Sequence, residues 1–269
     1  MTKLESYFGS IGKTTHQFLI EVAKIWQLVT DFFYWAILAP FKGKKSFGRE
    51  AFSRQLFFMG NESLFIVALV SASVGAVLAL QAAYQLKEFG ALMYTGALVS
   101  VSMARELGPI ITAIVIAGRV GASITAELGT MKVQEEVDAL VTMGIPPIPF
   151  LVVPRILAII IMLPSLTVLS YAIGILGGYL ISTTSLGIGS EVYLQESFDA
   201  LVAKDLMTGL AKSFVFSLLV GFIAIYTGLG VRGGAEGVGR ATTQSVVASI
   251  IAIIVADGIC TAVFYYVFP

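Results

Sequence analysis

The feature that most constrains this chain is a set of five long apolar segments. A helix rises 1.5 Å per residue and the hydrocarbon core of a bilayer is about 30 Å thick, so about 20 apolar residues are needed to cross it. The segments are continuously apolar rather than alternating, which predicts helices and not the strands of an outer-membrane barrel. We therefore expect an all-α integral membrane protein with five transmembrane helices, at residues 64–86, 93–126, 150–182, 206–230 and 246–268.

The composition agrees with a membrane protein. Of the 269 residues, 57% are hydrophobic and 13% are charged, whereas a soluble domain carries about 25% charged residues. The 17 basic residues balance the 17 acidic ones, so no nucleic-acid-binding surface is predicted. The chain has one cysteine, Cys260, and one histidine, His16. We therefore expect no internal disulfide, no metal site, no cofactor and no histidine-based catalysis.

Residues 18–39 form a sixth apolar stretch that differs from the other five. Glu21, Lys24 and Asp31 fall with Gln17 and Gln27 on one side of a helix, while apolar and aromatic residues fill much of the rest. This pattern favours an amphipathic helix lying in the membrane interface over a sixth span. We expect residues 1–63 to be a cytoplasmic N-terminal segment containing this helix, and residues 64–269 to be the five-span domain.

The basic residues predict how the bundle is oriented. One side carries most of them, whereas the loops of the other side show only Lys87 and Lys204. By the positive-inside rule the N-terminus is cytoplasmic, and the C-terminus at 268–269 lies outside, on the opposite side of the membrane. The first fifteen residues lack the apolar core of a cleavable signal peptide. The basic side is defined by Lys3, Lys13, Lys24, Lys42, Lys44, Lys45, Arg49, Arg54, Lys132, Arg232 and Arg240.

Arg105, Glu106 and Asp257 are ionisable residues inside predicted spans. A charge at the centre of a membrane helix costs roughly 2.5–3.5 kcal/mol, which makes such residues candidates for function. Arg105 and Glu106 are adjacent and project about 100° apart, so each needs a further helix, water or a ligand headgroup as partner. A structural ion pair with a neighbouring span and a functional role are equally good interpretations of this pair. For Asp257 we favour a structural role.

The loop over residues 127–149 contains a second amphipathic pattern. Apolar residues recur at helical spacing, and Gly144 followed by two prolines predicts the end of a short helix. Glu135, Glu136 and Asp138 are expected to face water. Because cytoplasmic leaflets are negative, an acidic helix is poorly suited to lie on the membrane, so we favour docking into a soluble partner. The apolar positions are Val133, Val137, Leu140 and Val141.

Glycine-rich stretches indicate helix packing weakly, and two of them resemble nucleotide-binding motifs without meeting their requirements. Small residues four apart, at 118/122, 174/178 and 230/234, predict close packing of helices. Residues 9–14 resemble a phosphate-binding P-loop, but Tyr7 stands where the first glycine is required. Residues 228–233 spell GxGxxG without a βαβ unit around them. We therefore expect no nucleotide site in this chain.

A series of short motifs runs through the predicted membrane domain. They are ARELGP at 104–109, AGRVG at 117–121, AELGTM at 126–131, EEVDAL at 135–140, PR at 154–155 and GVGRATT at 237–243. In this order they resemble the MlaE (YrbE) family of permeases, the membrane subunits of MCE-type ABC lipid transporters. The resemblance covers residues 55–267, and the first fifty residues match only in general character.

The resemblance implies a homodimeric permease of the bacterial inner membrane, with residues 64–269 as the permease domain. It implies that residues 135–144 form a coupling helix that contacts a cytoplasmic ABC ATPase through Glu135, Glu136, Asp138 and Met143. It also implies a periplasmic MCE-domain partner and often a STAS-domain protein on the ATPase. Phospholipid would be the substrate, moved between the inner and outer membranes. The chain itself is then expected not to be an enzyme, because ATP hydrolysis belongs to the ATPase.

The resemblance also places Arg105 and Glu106 near a lipid cavity, where Arg105 suits a phosphate through bidentate hydrogen bonds. The main alternative is an ion-coupled secondary transporter that uses Arg105, Glu106 and Asp257. Five spans do not divide into the inverted halves usual in that class. An intramembrane enzyme is a weaker alternative, because only Ser100 and Ser102 are candidate nucleophiles near the pair and no predicted span contains a histidine.

Overall fold

The computed structural model describes residues 19–39 and 48–267. Several features named above lie outside these residues: His16, Gln17, the P-loop-like stretch at 9–14, the C-terminus at 268–269, and Lys3, Lys13, Lys42, Lys44 and Lys45. Within the described residues every regular element is helical. The predicted all-α fold is therefore confirmed.

Five helices of the described chain are long and apolar enough to cross a membrane, which confirms the predicted number. They are α2 (Arg49–Glu88), α3 (Leu92–Val133), α5 (Val153–Thr184), α7 (Ala203–Leu229) and α8 (Gly234–Val267). Shorter helices are α1 (19–33), α4 (Glu136–Thr142) and α6 (Ser190–Ala200). The division predicted at 63/64 falls inside α2, so it marks a change from charged to apolar composition within one continuous helix.

Helix α3 widens twice into π-helical turns, at Met103–Leu107 and Ala117–Gly121. At the first, the amide of Gly108 donates to the carbonyl of Met103, five residues back. Pro109 follows and has no amide hydrogen, so the regular ladder is already weakened at this place. Such π-bulges occur frequently at functional sites. Each of the two turns carries an arginine, Arg105 and Arg119.

Glycines bring α2 and α5 into backbone contact. Gly75 lies against the backbone of Gly174, and Gly177 lies against the backbone of Ala72, with no room for a Cβ atom at either position. The predicted small-residue pair 174/178 therefore does pack, since Gly178 meets Tyr193 and Val99. The pairs at 118/122 and 230/234 do not act in this way within the chain: Gly118 and Gly234 have open space beside them.

Helix α1 packs against the bundle by one face. Leu28 is 9% exposed and Phe32 is 2% exposed, and both belong to the main hydrophobic core. The Phe32 ring meets the ring of Phe222 on α7 edge-on at 5.5 Å. The Trp26 side chain points away from the core and is 69% exposed. This burial on one side agrees with an amphipathic helix, and α1 is not among the candidate spans of the described chain.

The sequence analysis did not anticipate α6. This helix follows Gly189 and buries Tyr193, whose hydroxyl donates to the carbonyl of Ile175 at 3.2 Å. Burial raises the pKa of Tyr193 to about 12. Helix α6 therefore closes one end of the bundle over α3 and α5, at the end predicted to be periplasmic.

The contact between α2 and α5 gives a test of the fold. Replacing Gly177 with Ala puts a Cβ against the Ala72 carbonyl, so the helices must separate, and we expect a loss of about 1–3 kcal/mol in stability. Gly239→Ala is the matched control, because nothing lies within 4 Å of a Cβ there. Thermal unfolding of the detergent-solubilised variants measures the difference. Equal melting temperatures for the two variants would contradict the packing.

Candidate functional site

Arg105 and Glu106 lie on the first π-helical turn of α3 and point towards α7 and α8. Arg105 Nε donates to the carboxylate of Asp205, at the start of α7. Asp205 is 2% exposed, and its second oxygen accepts from the amide of Val202 at 3.3 Å. The buried carboxylate is thereby fixed by the helix start, and it orients the arginine in turn. The Nη groups of Arg105 form no ion pair within the described residues.

Glu106 is held by a lysine that is buried inside the bundle. Lys212 on α7 is 2% exposed, and its Nζ donates to Glu106 Oε2 at 2.5 Å. The same Nζ lies 2.9 Å from Asp257 Oδ1 on α8 and donates to Thr261 Oγ1 at 2.7 Å. A buried ammonium is stable only when it is paired and hydrogen-bonded. Lys212 therefore joins α3, α7 and α8 through one charge.

Asp257 lies beside Lys212 as its second acidic partner, and the structural role favoured from the sequence stays a prediction. It is 16% exposed, and the oxygen beside Lys212 accepts no hydrogen bond among the described residues. The contact is therefore one of charge rather than a well-directed hydrogen bond. Arg105 and Glu106 are compatible with both a structural and a functional role. Each forms an ion pair with a residue of α7, and each side chain stays accessible, at 52% and 36% exposure.

The accessible sides of these residues line a cavity of about 560 Å³. Its charged lining consists of Arg105, Glu106, Lys204 and Lys212. Aromatic residues at the end of α8 line it as well, so charged and aromatic side chains share one cavity. The remaining lining residues are Thr208, Thr261, Phe264, Tyr265 and Tyr266.

Close packing fixes the distance between α3 and α7 beside this cavity. Gly209 of α7 lies directly against the carbonyl of Ala104, the residue before Arg105, and against the Tyr171 hydroxyl of α5. Glycine at this position lets the two backbones touch. This contact fixes the distance between α3 and α7 that the pairs Arg105–Asp205 and Glu106–Lys212 have to bridge.

Sequence reasoning missed Asp205 and Lys212. Lys212 offered a usable signal, because it is a lysine well inside the predicted span 206–230, where a charge is expensive. Asp205 stands one residue before that span, where an acidic residue at a helix start is unremarkable. Its burial depends on the approach of Arg105 from another helix, which no local pattern reveals.

A second group of ion pairs lies towards the other end of the bundle. Arg155, at the start of α5, is 6% exposed in its side chain and donates to Glu127 near the end of α3 at 2.6 Å. Arg119, on the second π-helical turn, donates to Glu62 and Ser63 of α2 at 2.5 and 2.8 Å. The first pair ties α3 to α5, the two helices that flank α4 in the chain, and the second ties α3 to α2.

Helix α4 itself confirms the predicted short helix between two spans. It begins after Glu135, whose backbone has φ of 60°, a left-handed conformation that few non-glycine residues adopt. Glu135, Glu136 and Asp138 are exposed as predicted. Asp138 also accepts from Lys132 at 2.9 Å. Met143 follows the helix and is 65% exposed.

The sites predicted from the sequence therefore fall into two separate places. Arg105 and Glu106 line the cavity at one end, whereas Glu135, Glu136, Asp138 and Met143 lie exposed in and beside α4 at the other. No group of three or more potential metal ligands occurs in residues 19–39 and 48–267. The arrangement is that of a membrane transport protein, with a charged cavity inside a five-span bundle and an exposed helix between two spans.

Comparison with known proteins identifies the family. The family model described as Permease MlaE matches residues 52–263, and the chain belongs to this family. It is 44% identical to a probable ABC transporter permease protein of Rickettsia typhi over 214 residues, covering 80% of this chain and 83% of the relative. It is 40% identical to a probable ABC transporter permease protein of Synechocystis, covering 76% and 77%.

A more distant relative is the chloroplastic protein TRIGALACTOSYLDIACYLGLYCEROL 1 of Arabidopsis thaliana. The two are 35% identical over 79% of this chain and 61% of the relative. The family and the relatives together assign this chain as a transport subunit, a permease of the ABC class, and not as a catalytic enzyme.

Removing the buried lysine tests the cluster. Lys212→Met leaves the carboxylates of Glu106 and Asp257 without their cation, so we expect a loss of about 3–5 kcal/mol in stability. The combined variant Lys212→Met, Glu106→Gln, Asp257→Asn removes all three charges and should regain part of that loss. Thermal unfolding of the solubilised proteins, with Lys87→Met at an exposed position as control, gives the comparison. A single variant as stable as the control would rule out this role for Lys212.

Proposed function

We propose that this chain is the membrane subunit of an ABC transporter that moves phospholipid between the inner and outer membranes of a bacterium. The observation that carries the proposal is the cavity at Arg105 and Glu106, which is lined by both charged and aromatic side chains. A phospholipid likewise combines a charged headgroup with apolar chains. The name of the Arabidopsis relative, which is that of a galactolipid, also points to lipid.

Arg105 is the residue best suited to bind the phosphate. Its Nε donates to Asp205, which orients the guanidinium group, while the side chain is 52% exposed and lines the cavity. A guanidinium group can donate two hydrogen bonds to a phosphate. Glu106 and Lys212 then set the charge beside the headgroup, and Tyr265 and Tyr266 supply apolar surface for the chains.

A separate ATPase would drive the transport from the cytoplasmic side. Helix α4 is the proposed contact, with Glu135, Glu136, Asp138 and Met143 facing the partner. The helix connects directly to the end of α3, and Arg155 ties that end to the start of α5 through Glu127. A movement of α4 would therefore pull on the same helix that carries Arg105.

The proposal includes a homodimer in the bacterial inner membrane. Helix α8 supports it, because only 11% of an 18-residue apolar stretch of this helix is buried within one chain. Its uncovered side chains include Val247, Ile251, Ile254, Val255 and Ile259. A periplasmic MCE-domain protein, and in some systems a STAS-domain protein on the ATPase, complete the proposed assembly. The N-terminus would be cytoplasmic and the C-terminus periplasmic.

Transport by the reconstituted complex tests the role of Arg105. Arg105→Ala should lower ATP-driven transfer of a fluorescent phospholipid at least about tenfold, because loss of a charge-assisted hydrogen bond is worth about one power of ten. Arg54→Ala removes an exposed arginine whose ion-pair partner among the described residues is Glu50 on its own helix, and should leave transfer unchanged. Unaltered transfer by Arg105→Ala would contradict the proposal.

The same preparation separates the proposal from its alternative. The Glu106–Lys212–Asp257 cluster contains titratable groups of the kind that ion-coupled transporters use. Transfer that needs a proton or sodium gradient and continues without ATP would establish the alternative.

Reversing charge on α4 tests the coupling. The double variant Glu135→Lys, Glu136→Lys places two cations where the partner is proposed to receive an acidic helix, so the ATPase should no longer co-purify with the permease. The control variant Glu88→Lys, Glu191→Lys makes the same change in net charge at exposed positions near the opposite end of the bundle. The ATPase should still co-purify with this control. Normal recovery of the ATPase with the α4 variant would contradict the assignment.

A further inference from the structure

A groove separate from the cavity lies between α1, α7 and α8 at the end of the bundle predicted to be cytoplasmic. Its outer part has a volume of about 850 Å³ and its inner part about 530 Å³. The two parts adjoin each other, because Tyr226, Thr227 and Ala248 line both. The groove therefore has two adjoining halves of different chemistry.

The outer half is basic. Lys24, Arg232 and Arg240 line it together with one acidic residue, Glu21. Lys24 pairs with Glu21 at 2.9 Å. The side chains of Arg232 and Arg240 are exposed and form no ion pair or hydrogen bond within the part of the chain that the structure describes. Two guanidinium groups therefore line this space with no ion-pair partner among the described residues.

The inner half is almost wholly apolar. Ile25 and Val29 of α1 form one wall, and α7 forms the other from Val215 to Thr227. At 1.5 Å per residue this part of α7 is about 18 Å long, slightly more than half the hydrocarbon thickness of about 30 Å. The further α7 residues along this wall are Leu218, Leu219, Phe222, Ile223 and Tyr226. The apolar half thus matches the depth of one leaflet.

We propose that this groove binds an anionic phospholipid of the cytoplasmic leaflet, with its phosphate at Arg232 and Arg240 and an acyl chain along α7. The positive charge of these two arginines selects an anionic over a zwitterionic headgroup, and cytoplasmic leaflets supply such lipids. The apolar half distinguishes a lipid from a free anion. The bound lipid fills the space beside the Phe32–Phe222 contact and so fastens α1 to α7.

This lipid is distinct from the transported one. The groove shares no lining residue with the cavity at Arg105. Its site is open at the opposite end of α7, and its role is to hold α1 in place rather than to be carried across.

Native mass spectrometry of the purified, delipidated complex tests the site. The probes are phosphatidylglycerol, phosphatidylcholine and inorganic phosphate. Arg232→Gln, Arg240→Gln should bind phosphatidylglycerol at least about tenfold more weakly than the unaltered protein, the ratio expected when two basic contacts are lost. Ala248→Phe, which fills the junction of the two halves, should lower binding by a similar factor while keeping both arginines. Circular dichroism checks that each variant is folded.

Two controls separate this site from others. Arg54→Gln removes an exposed arginine outside the groove and should not change binding. Arg105→Ala should retain the groove lipid, so a loss in that variant instead would place the lipid in the cavity and overturn the proposal.

Three further outcomes would also overturn it. Phosphatidylcholine bound as tightly as phosphatidylglycerol would remove the basis in charge. Binding of inorganic phosphate as tight as that of phosphatidylglycerol would show that the groove is a site for free anions. A change of oligomeric state in Ala248→Phe with unchanged lipid binding would show that a second copy of the chain occupies the groove.

Discussion

A single buried ammonium organises the membrane core of this protein. Lys212 is almost completely enclosed, and its charge is tolerable there only because Glu106 and Asp257 approach it from two other helices. The need to keep those carboxylates in place fixes how α3, α7 and α8 meet. The same need leaves one face of Glu106, and the neighbouring Arg105, turned towards the cavity. A requirement of stability thus leaves charged groups on the wall of a cavity in the helical bundle.

The helix that carries this pair also reaches the other functional region. Helix α3 contains two π-helical turns and ends just before α4. Arg119 and Glu127 tie it to α2 and α5 on the way. The proposed ATPase contact and the proposed lipid site are therefore connected by one continuous element. Its π-turns are places where an α-helix already departs from its regular ladder.

The sequence was sufficient for features that depend on composition and period. Five apolar runs predicted the five spans, and the spacing of Val137 and Leu140 with Gly144 predicted α4. The ends of the helices were harder to predict. Helices α2 and α8 continue beyond their apolar segments into polar sequence, and the thickness of the membrane does not determine where that sequence stops being helical. Helix α6 was missed because it is polar and depends on burying Tyr193 against α5.

The site was partly predictable for the same reason. Arg105 and Glu106 stand out because they are charged within an apolar run, but their partners come from residues about a hundred positions later in the chain. Sequence proximity says nothing about such pairs. The backbone contact of Gly209 with Ala104, which brings them together, is equally non-local.

The central claim is that the cavity at Arg105 and Glu106 receives a phospholipid headgroup. Electron cryomicroscopy of the permease with its ATPase, in nanodiscs of native lipid, tests this most directly. The account predicts lipid density in the cavity, with the phosphate within hydrogen-bonding distance of Arg105. A well-resolved cavity that holds no lipid, or lipid bound with its phosphate away from Arg105, would contradict it.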